Sequence, residues 1–270
     1  MNEQNVKNKD IKWWMPEYGF FGKFYMDGDD SFDGYLAEKK QSLSERTQTE
    51  IHGVIDLLGL RENNKIMDCP CGYGRHSNGL CAKGIDVTGV DINPVHLEKA
   101  IKNRDIAGLK TNFQIGNMLT IDFHNEFDGV INMFYSFGFF DTDEENFQVL
   151  RNFYNSLKKG GKFLMHTDVN IPRVISGKYK FDEKRKLKSG NQLRVIDNYN
   201  AKTKRIDGRW IITHENGEVE DIDYSVRVYT KEEFSELCYQ AGFTKVTVYA
   251  DWDGNEYSDD AEDMIIIAEK

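Results

Sequence analysis

Ile66-Met67-Asp68-Cys69-Pro70-Cys71-Gly72-Tyr73-Gly74-Arg75-His76-Ser77 is the stretch that decides the fold. An apolar run ends in an acid, the chain turns through Gly72 and Gly74, and a helix-compatible segment follows. Glycine reaches backbone angles closed to other residues and lets a ligand approach the main chain. In an open α/β sheet such a loop lies beyond the carboxyl end of a strand, where ligands bind. The next strand ends in Asp91, a carboxylate able to accept both hydroxyls of a ribose.

Working outward, the apolar positions Ile51, Val54, Ile55 and Leu58 recur at helical spacing in a segment that opens near Ser44 and stops at Gly59. Lys65 to Asp68 reads as a strand, Ser77 to Lys83 as a helix, Asp86 to Asp91 as a strand. Pro94 to Ile106 reads as a helix with proline in its first turn. Thr111 to Ile115 and Phe127 to Phe134 are strands. Asp143 to Leu157 is a helix ended by Lys158-Lys159-Gly160-Gly161, and Lys162 to Thr167 is a strand. This alternation implies a parallel sheet covered on both faces. After Asp168 the rhythm changes. Gln192 to Tyr199, Arg205 to His214 and Val219 to Val228 alternate loosely between Gly190, Gly208 and the hairpin signal Asn216-Gly217. The pattern returns with a helix, Lys231 to Ala241, and strands at Val246 to Tyr249 and Met264 to Ala268. The expected fold class is therefore α/β: a doubly wound, mainly parallel, seven-stranded sheet with an antiparallel β insertion. Residues 1–43 form an N-terminal arm or lid, 44–170 and 229–270 the core domain, and 171–228 the insertion, expected to cap the substrate. The arm carries Trp13, Trp14, Tyr18, Phe20 and Phe21, as packing or as part of the lid.

The chain has 270 residues, 39% hydrophobic and 30% charged, with a formal net charge of −10. That length suits one large domain with a modest insertion. The acidic balance disfavours a nucleic-acid partner. One basic run, Arg173, Lys178, Lys180, Lys184, Arg185, Lys186 and Lys188, is a solvated face or a patch for an anionic substrate. Cys69 and Cys71 lack a second Cys/His pair at zinc-ligand spacing, so no metal is expected. Residues 1–11 lack the apolar core of a signal peptide, and no stretch approaches the ~20 apolar residues of a membrane span. The expected location is the cytoplasm.

Two ligand classes fit the glycine loop. A dinucleotide fingerprint needs a third glycine, where Ser77 stands, and Asp68 would sit badly beside a pyrophosphate. S-adenosylmethionine carries a sulfonium and an ammonium, which tolerate nearby acids. The segment Asp68 to Ser77 resembles the first motif of the class I S-adenosylmethionine-dependent methyltransferases, and is especially similar to the small-molecule branch with an Asp-x-Pro-Cys-Gly-x-Gly-Arg-His loop. The likeness continues through Val87 to Pro94, Gly116-Asn117-Met118, Phe134 to Phe140, Leu157 to Gly161, Arg227 to Thr230 and Ala250 to Gly254. It implies S-adenosyl-L-methionine as cofactor, with S-adenosyl-L-homocysteine as product. Asp68, Pro70, Cys71, Gly72 and Gly74 would line its methionine and ribose part. Asp91 would take the ribose hydroxyls, Ile92 would pack on adenine, and Asn117 and Met118 would meet the adenine edge. Phe134 would begin the wall between donor and acceptor, and Arg46 resembles an arginine that pairs with the donor carboxylate. Pro70 and Asn117 depart from the commoner Gly and Asp.

Methyl transfer is an in-line displacement whose rate comes mainly from positioning and exclusion of water. If the acceptor must lose a proton, a base is needed at the carboxyl end of a strand. His166, Asp168 and Tyr135 qualify by location. The leading expectation is an enzyme that methylates a small molecule. The alternatives are a methyltransferase of RNA or protein, and a non-catalytic protein that binds an adenosyl ligand.

Overall fold

The computed structural model describes residues 12–15, 19–22, 24–25, 42–177, 181–187 and 189–270. Helix α1, Leu43–Leu58, begins in a reciprocal cap: Ser42 Oγ accepts from the Glu45 N–H, while the Glu45 carboxylate accepts from the Ser42 N–H. It ends at Gly59, whose φ of 70° is left-handed, the usual αL stop. Its buried stripe, Ile51, Val54 and Leu58, is the one that the helical spacing predicts.

Strands β1 (Lys65–Asp68), β2 (Asp86–Asp91), β3 (Asn112–Ile115), β4 (Phe127–Asn132) and β5 (Leu157–Thr167) pair in parallel in the order β5-β4-β1-β2-β3. Helices α2 (Arg75–Cys81), α3 (Pro94–Ile106) and α4 (Asp143–Ser156) lie between them in the chain. Beyond them come a short helix α5 (Ile171–Ile175), strands β6 (Phe181–Lys186), β7 (Gln192–Asn200), β8 (Arg205–Thr213) and β9 (Val219–Arg227), helix α6 (Lys231–Ala241), and strands β10 (Lys245–Tyr249) and β11 (Met264–Glu269). β11 pairs antiparallel with β5 and β10 antiparallel with β11, completing a seven-stranded sheet.

Alternate residues of these strands serve opposite faces. Ile66, Ile131, Leu164 and Ile265 pack with α1 and Leu80 of α2. Met67, Val130, Phe163 and Ile266 pack with Val149 and Phe153 of α4 and Phe234 of α6. Burying each such side chain stabilises the fold by about 1.5–3 kcal/mol, so the near-continuous apolar run of a doubly covered strand is what this architecture requires.

The second sheet is antiparallel, in the order β6-β7-β8-β9. Its β8–β9 turn holds Asn216-Gly217, with Gly217 at φ 86°. It docks on the segment after β4: Arg227 N donates to Gly138 O at 2.8 Å, Arg205 Nη1 to Phe140 O at 3.0 Å, and Tyr135 Oη to Arg227 O at 2.6 Å.

Some boundaries differ from expectation. β4 stops at Asn132 because Phe134 and Tyr135 both take left-handed φ, 56° and 54°. Lys158 to Gly161 does not close α4; β5 already starts at Leu157 and passes through these residues with a register shift against β4. α2 starts at Arg75, capped by left-handed Gly74. Part of the basic run is a strand, β6, in which Asp182 and Glu183 precede Lys184, Arg185 and Lys186, and Asp182 pairs with Arg194. Lys178, Lys180 and Lys188, like most of the expected arm 1–43, including Tyr18, lie outside the described residues.

Candidate active site

A cavity of about 220 Å³ runs across the carboxyl ends of β3, β2, β1 and β4. At its β2–β3 end stand Asp91, Ile92, Gly116, Asn117 and Met118. Asp91 is buried. One of its oxygens accepts from Asn93 N and the other from Gly72 N, both at 2.8 Å. Burial pushes its carboxyl up, against the pull of these backbone N–H groups. Each oxygen retains a lone pair beyond its backbone bond, so the group fits a ribose diol. Asn117 Oδ1 already accepts from Leu119 N at 2.9 Å, so its amide N–H₂ remains for a ligand.

The two loop glycines do different work. Gly72, at φ 51°, lines the cavity, and a Cβ there would meet nothing within 4 Å: the loop turns open space toward a ligand. Gly74, at φ 74°, is a packing glycine, since a Cβ would lie 2.7 Å from the Phe113 ring and 2.8 Å from Ala100. Pro70 and Cys71 line the cavity beside Gly72. Asp68 lies beneath the loop instead. Its Oδ2 accepts from Ser77 Oγ at 2.5 Å and its buried Oδ1 has no partner. Burial, then the charge of Asp91, pushes Asp68 up to about 7.

The β1–β4 end is formed by Leu43, Arg75, His76, Met133, Phe134 and Ser136. Two guanidinium groups lie over the Phe134 ring, Arg46 at 4.7 Å and Arg75 at 4.8 Å from its centroid. Behind it, fully buried Glu50 accepts from Arg46 Nε at 2.8 Å and from Arg75 Nη1, and bonds His76 Nε2 at 2.9 Å. Burial pushes the Glu50 carboxyl up, but His76 and the two arginines outweigh it and hold the group far below the usual carboxylate range. Burial, then Arg75, pushes His76 down to about 4, so its ring is neutral at neutral pH.

Arg46, expected at the donor carboxylate, is bonded to Glu50 and, at 3.2 Å, to Asp168 and does not line the cavity, whereas Arg75 does. The three expected bases do not reach the cavity wall either. The left-handed turn at 134–135 sends Tyr135 to the second sheet, where its hydroxyl is spent on Arg227 O, and burial pushes it well above the usual tyrosine range. Asp168 is paired with Arg46. His166 is fully buried, bonded to Asp263 at 3.1 Å and packed against Phe134 and Trp252.

The rest of the wall includes Trp13 and Phe21, which the sequence left open between packing and a lid. Trp13, Phe21 and Tyr25 line the cavity. Asn93 Nδ2 donates to Phe21 O at 2.6 Å, and Tyr25 stacks on Trp210 of β8 at 5.5 Å. His96, also in the wall, has a neutral ring: burial, then Lys99, pushes it down to about 4. The signal available in the sequence was Arg75-His76 directly after the glycine loop; nothing marked Glu50, which is one of many acids on α1's stretch. Among the described residues no three His, Cys, Asp or Glu side chains converge to hold a metal ion, and no helix is long and apolar enough to cross a membrane.

Strand order, glycine loop and the acid ending β2 define the S-adenosylmethionine-binding type of doubly wound protein. Residues 66–161 match the methyltransferase domain family. The chain is 24% identical over 246 residues to glycine/sarcosine N-methyltransferase of Aphanothece halophytica, covering 88% of this chain and 89% of that protein. Its fold is similar to an S-adenosylmethionine-dependent methyltransferase from Clostridium acetobutylicum, with a TM-score of 0.72, 14% identity and coverage of 92% and 99% of the two chains. It is also similar to an amino pentose methyltransferase from Micromonospora echinaspora solved with S-adenosylmethionine bound, with a TM-score of 0.64, 18% identity and coverage of 88% and 95%. Residues 66–161 thus carry a methyltransferase domain, and the relatives and the fold support an S-adenosylmethionine-dependent methyltransferase with S-adenosylmethionine as cofactor.

Proposed function

We propose that this enzyme methylates the nitrogen of a small-molecule amine. The observation that carries the reading is a single cavity with two unlike ends. Asp91, Ile92, Asn117 and Met118 at one end suit an adenosyl group; Phe134, Trp13, Phe21 and Tyr25 make an aromatic wall toward the other. That wall suits a site where positive charge passes from sulfur to nitrogen, because aromatic faces attract cations. The names of relatives support the same acceptor atom: Aphanothece halophytica glycine/sarcosine N-methyltransferase acts at nitrogen, and the Micromonospora echinaspora protein acts on an amino pentose. Asp182 and Glu183 stand beside the basic residues of β6 and offset their charge, which disfavours RNA as the acceptor.

In this reading Gly72 lets the donor approach the main chain, Asp91 takes the ribose hydroxyls, and Arg75 pairs with the donor carboxylate. When bound, S-adenosylmethionine supplies an electrophilic methyl on a sulfonium. The chain's own part is to orient the acceptor and exclude water, with the arm residues and the second sheet as cap. Calorimetric titration with S-adenosylhomocysteine tests the donor half. Asp91→Ala removes charge-assisted hydrogen bonds and is expected to weaken binding by about 10²-fold. A mass-spectrometric screen of amino acids, amino sugars and their hydroxyl analogues tests the acceptor half; methylation confined to hydroxyl compounds would overturn the nitrogen assignment.

A further inference from the structure

His76 lines the cavity and has no part in donor recognition as read above, while Glu50, which also holds Arg75, bonds it from outside the cavity wall. Glu50 is fully buried and receives Arg46, Arg75 and His76. A carboxylate held ionised by two guanidiniums has no proton to give. The 2.9 Å contact therefore requires the hydrogen to sit on His76 Nε2. A neutral ring protonated at Nε2 carries its lone pair on Nδ1. His76 lines the cavity, and no described residue hydrogen-bonds its Nδ1. His166 has a similar carboxylate partner in Asp263, but its ring is outside the cavity wall and its Nδ1 is buried.

We propose that Nδ1 of His76, oriented by Glu50, accepts the N–H hydrogen bond of the acceptor amine and so aims the nitrogen lone pair at the methyl group. This rests on the nitrogen reading above and deepens it. The amine nitrogen forms the new N–C bond as the C–S bond breaks, its electron pair staying on sulfur. Positive charge moves from sulfur to nitrogen, and no proton leaves in that step. The N–H held by Nδ1 becomes the N–H of an ammonium, so the bond turns charge-assisted as the reaction proceeds. An interaction stronger in the transition state than in the ground state raises kcat.

The site demands an N–H on its substrate. Primary and secondary amines are methylated, and the reaction stops at the tertiary amine because that product has no hydrogen for Nδ1.

The test uses the full chain. His76→Phe keeps a ring against Phe134 and removes both nitrogens. It is expected to lower kcat by about 10²-fold, with S-adenosylhomocysteine affinity within about threefold of the parent. Glu50→Gln removes the constraint on the tautomer and is expected to lower kcat with His76 still present. Nitrogen-15 spectra of the unaltered protein, assigned with His76→Phe, are expected to show His76 protonated at Nε2 and not Nδ1; this reading needs no variant to be active. A proton on Nδ1, conversion of a tertiary amine to a quaternary one at the rate of a secondary amine, or an unchanged kcat in His76→Phe overturns the inference alone. Weakened S-adenosylhomocysteine binding with kcat unchanged would place His76 on the donor and overturn it too. If no amine is methylated at all, the nitrogen reading falls and takes this inference with it.

Discussion

Two aspartates at the ends of adjacent strands illustrate what surroundings do to one side chain. Asp91 is met by backbone N–H groups from Asn93 and Gly72; Asp68 has a hydroxyl on one oxygen and nothing on the other. Burial pushes Asp68 up to about 7 from an ordinary value of 3.8. The folded protein then holds a proton there between about pH 4 and 7 that the unfolded chain releases, so this residue's contribution to stability falls as pH rises through that window. His76 and His96, both pushed down to about 4, act in the opposite sense, adding stability as pH rises from about 4 to 6.5. The difference between Asp68→Asn and the parent isolates the first effect. The melting temperature of Asp68→Asn relative to the parent is expected to rise between pH 5 and pH 8. A difference that stays constant over that range would show that Asp68 ionises freely.

Among the elements, the loop between β1 and α2 separates ligand contact from packing within three residues. Gly74→Ala would force a methyl into the Phe113 ring and Ala100 and hold alanine at φ 74°. Overpacking costs about 1–3 kcal/mol and the left-handed backbone about 1–2 kcal/mol more, so thermal unfolding should shift down by many degrees. Gly72→Ala carries the backbone cost but meets no neighbour. It should melt close to the parent and yet lose S-adenosylhomocysteine binding, because the methyl fills the space that the loop leaves for the ligand. Equal binding by Gly72→Ala and the parent would mean that the donor does not approach this part of the main chain. The turn after β4 is the second element of this kind. Two non-glycine residues in succession, Phe134 and Tyr135, take left-handed φ, a conformation that costs about 1–3 kcal/mol per residue and is retained where the surroundings enforce it. Here Tyr135 is bound to Arg227 O and Phe134 has the guanidinium groups of Arg46 and Arg75 over its ring.

At the scale of the whole molecule, described arm residues and the seven-stranded core meet around one cavity, and the second sheet packs on the arm. Phe20 packs on Trp210 and Tyr224 of the second sheet, while its neighbour Phe21 lines the cavity and takes a hydrogen bond from Asn93, two residues past the ribose acid. Asn93 also caps α3 through Oδ1, 2.9 Å from Val95 N. Serine can keep that cap but is too short to reach Phe21 O. Losing the buried bond costs about 1–3 kcal/mol. Asn93→Ser is therefore expected to expose the segment around Trp13 to Tyr25 to proteolysis and to raise the acceptor KM, with α3 intact by circular dichroism. Unchanged proteolysis would mean that aromatic packing alone holds the arm.

The sequence by itself determined the sheet, its strand order class and the glycine loop after β1. Those rest on local and repeating signals: two-sided apolar strands, capped helices, glycines where the backbone needs them, and an acid closing β2. Pro94 to Ile106 and Lys231 to Ala241 coincide with α3 and α6, because a cap, with a first-turn proline in α3, acts within one element. Strand β6 was not legible, since its continuous run of charged residues after Phe181 carries no apolar face that the sequence would mark. Only the tertiary structure decided which side chains share the cavity. Arg46 and Glu50 lie on α1, Arg75 and His76 on α2, Phe134 after β4 and Asp168 after β5, and no spacing along the chain says which arginine faces the ligand. The choice follows from competition for partners: Asp168 and Glu50 bind Arg46, which does not line the cavity, and Arg75 and His76 are left in the wall.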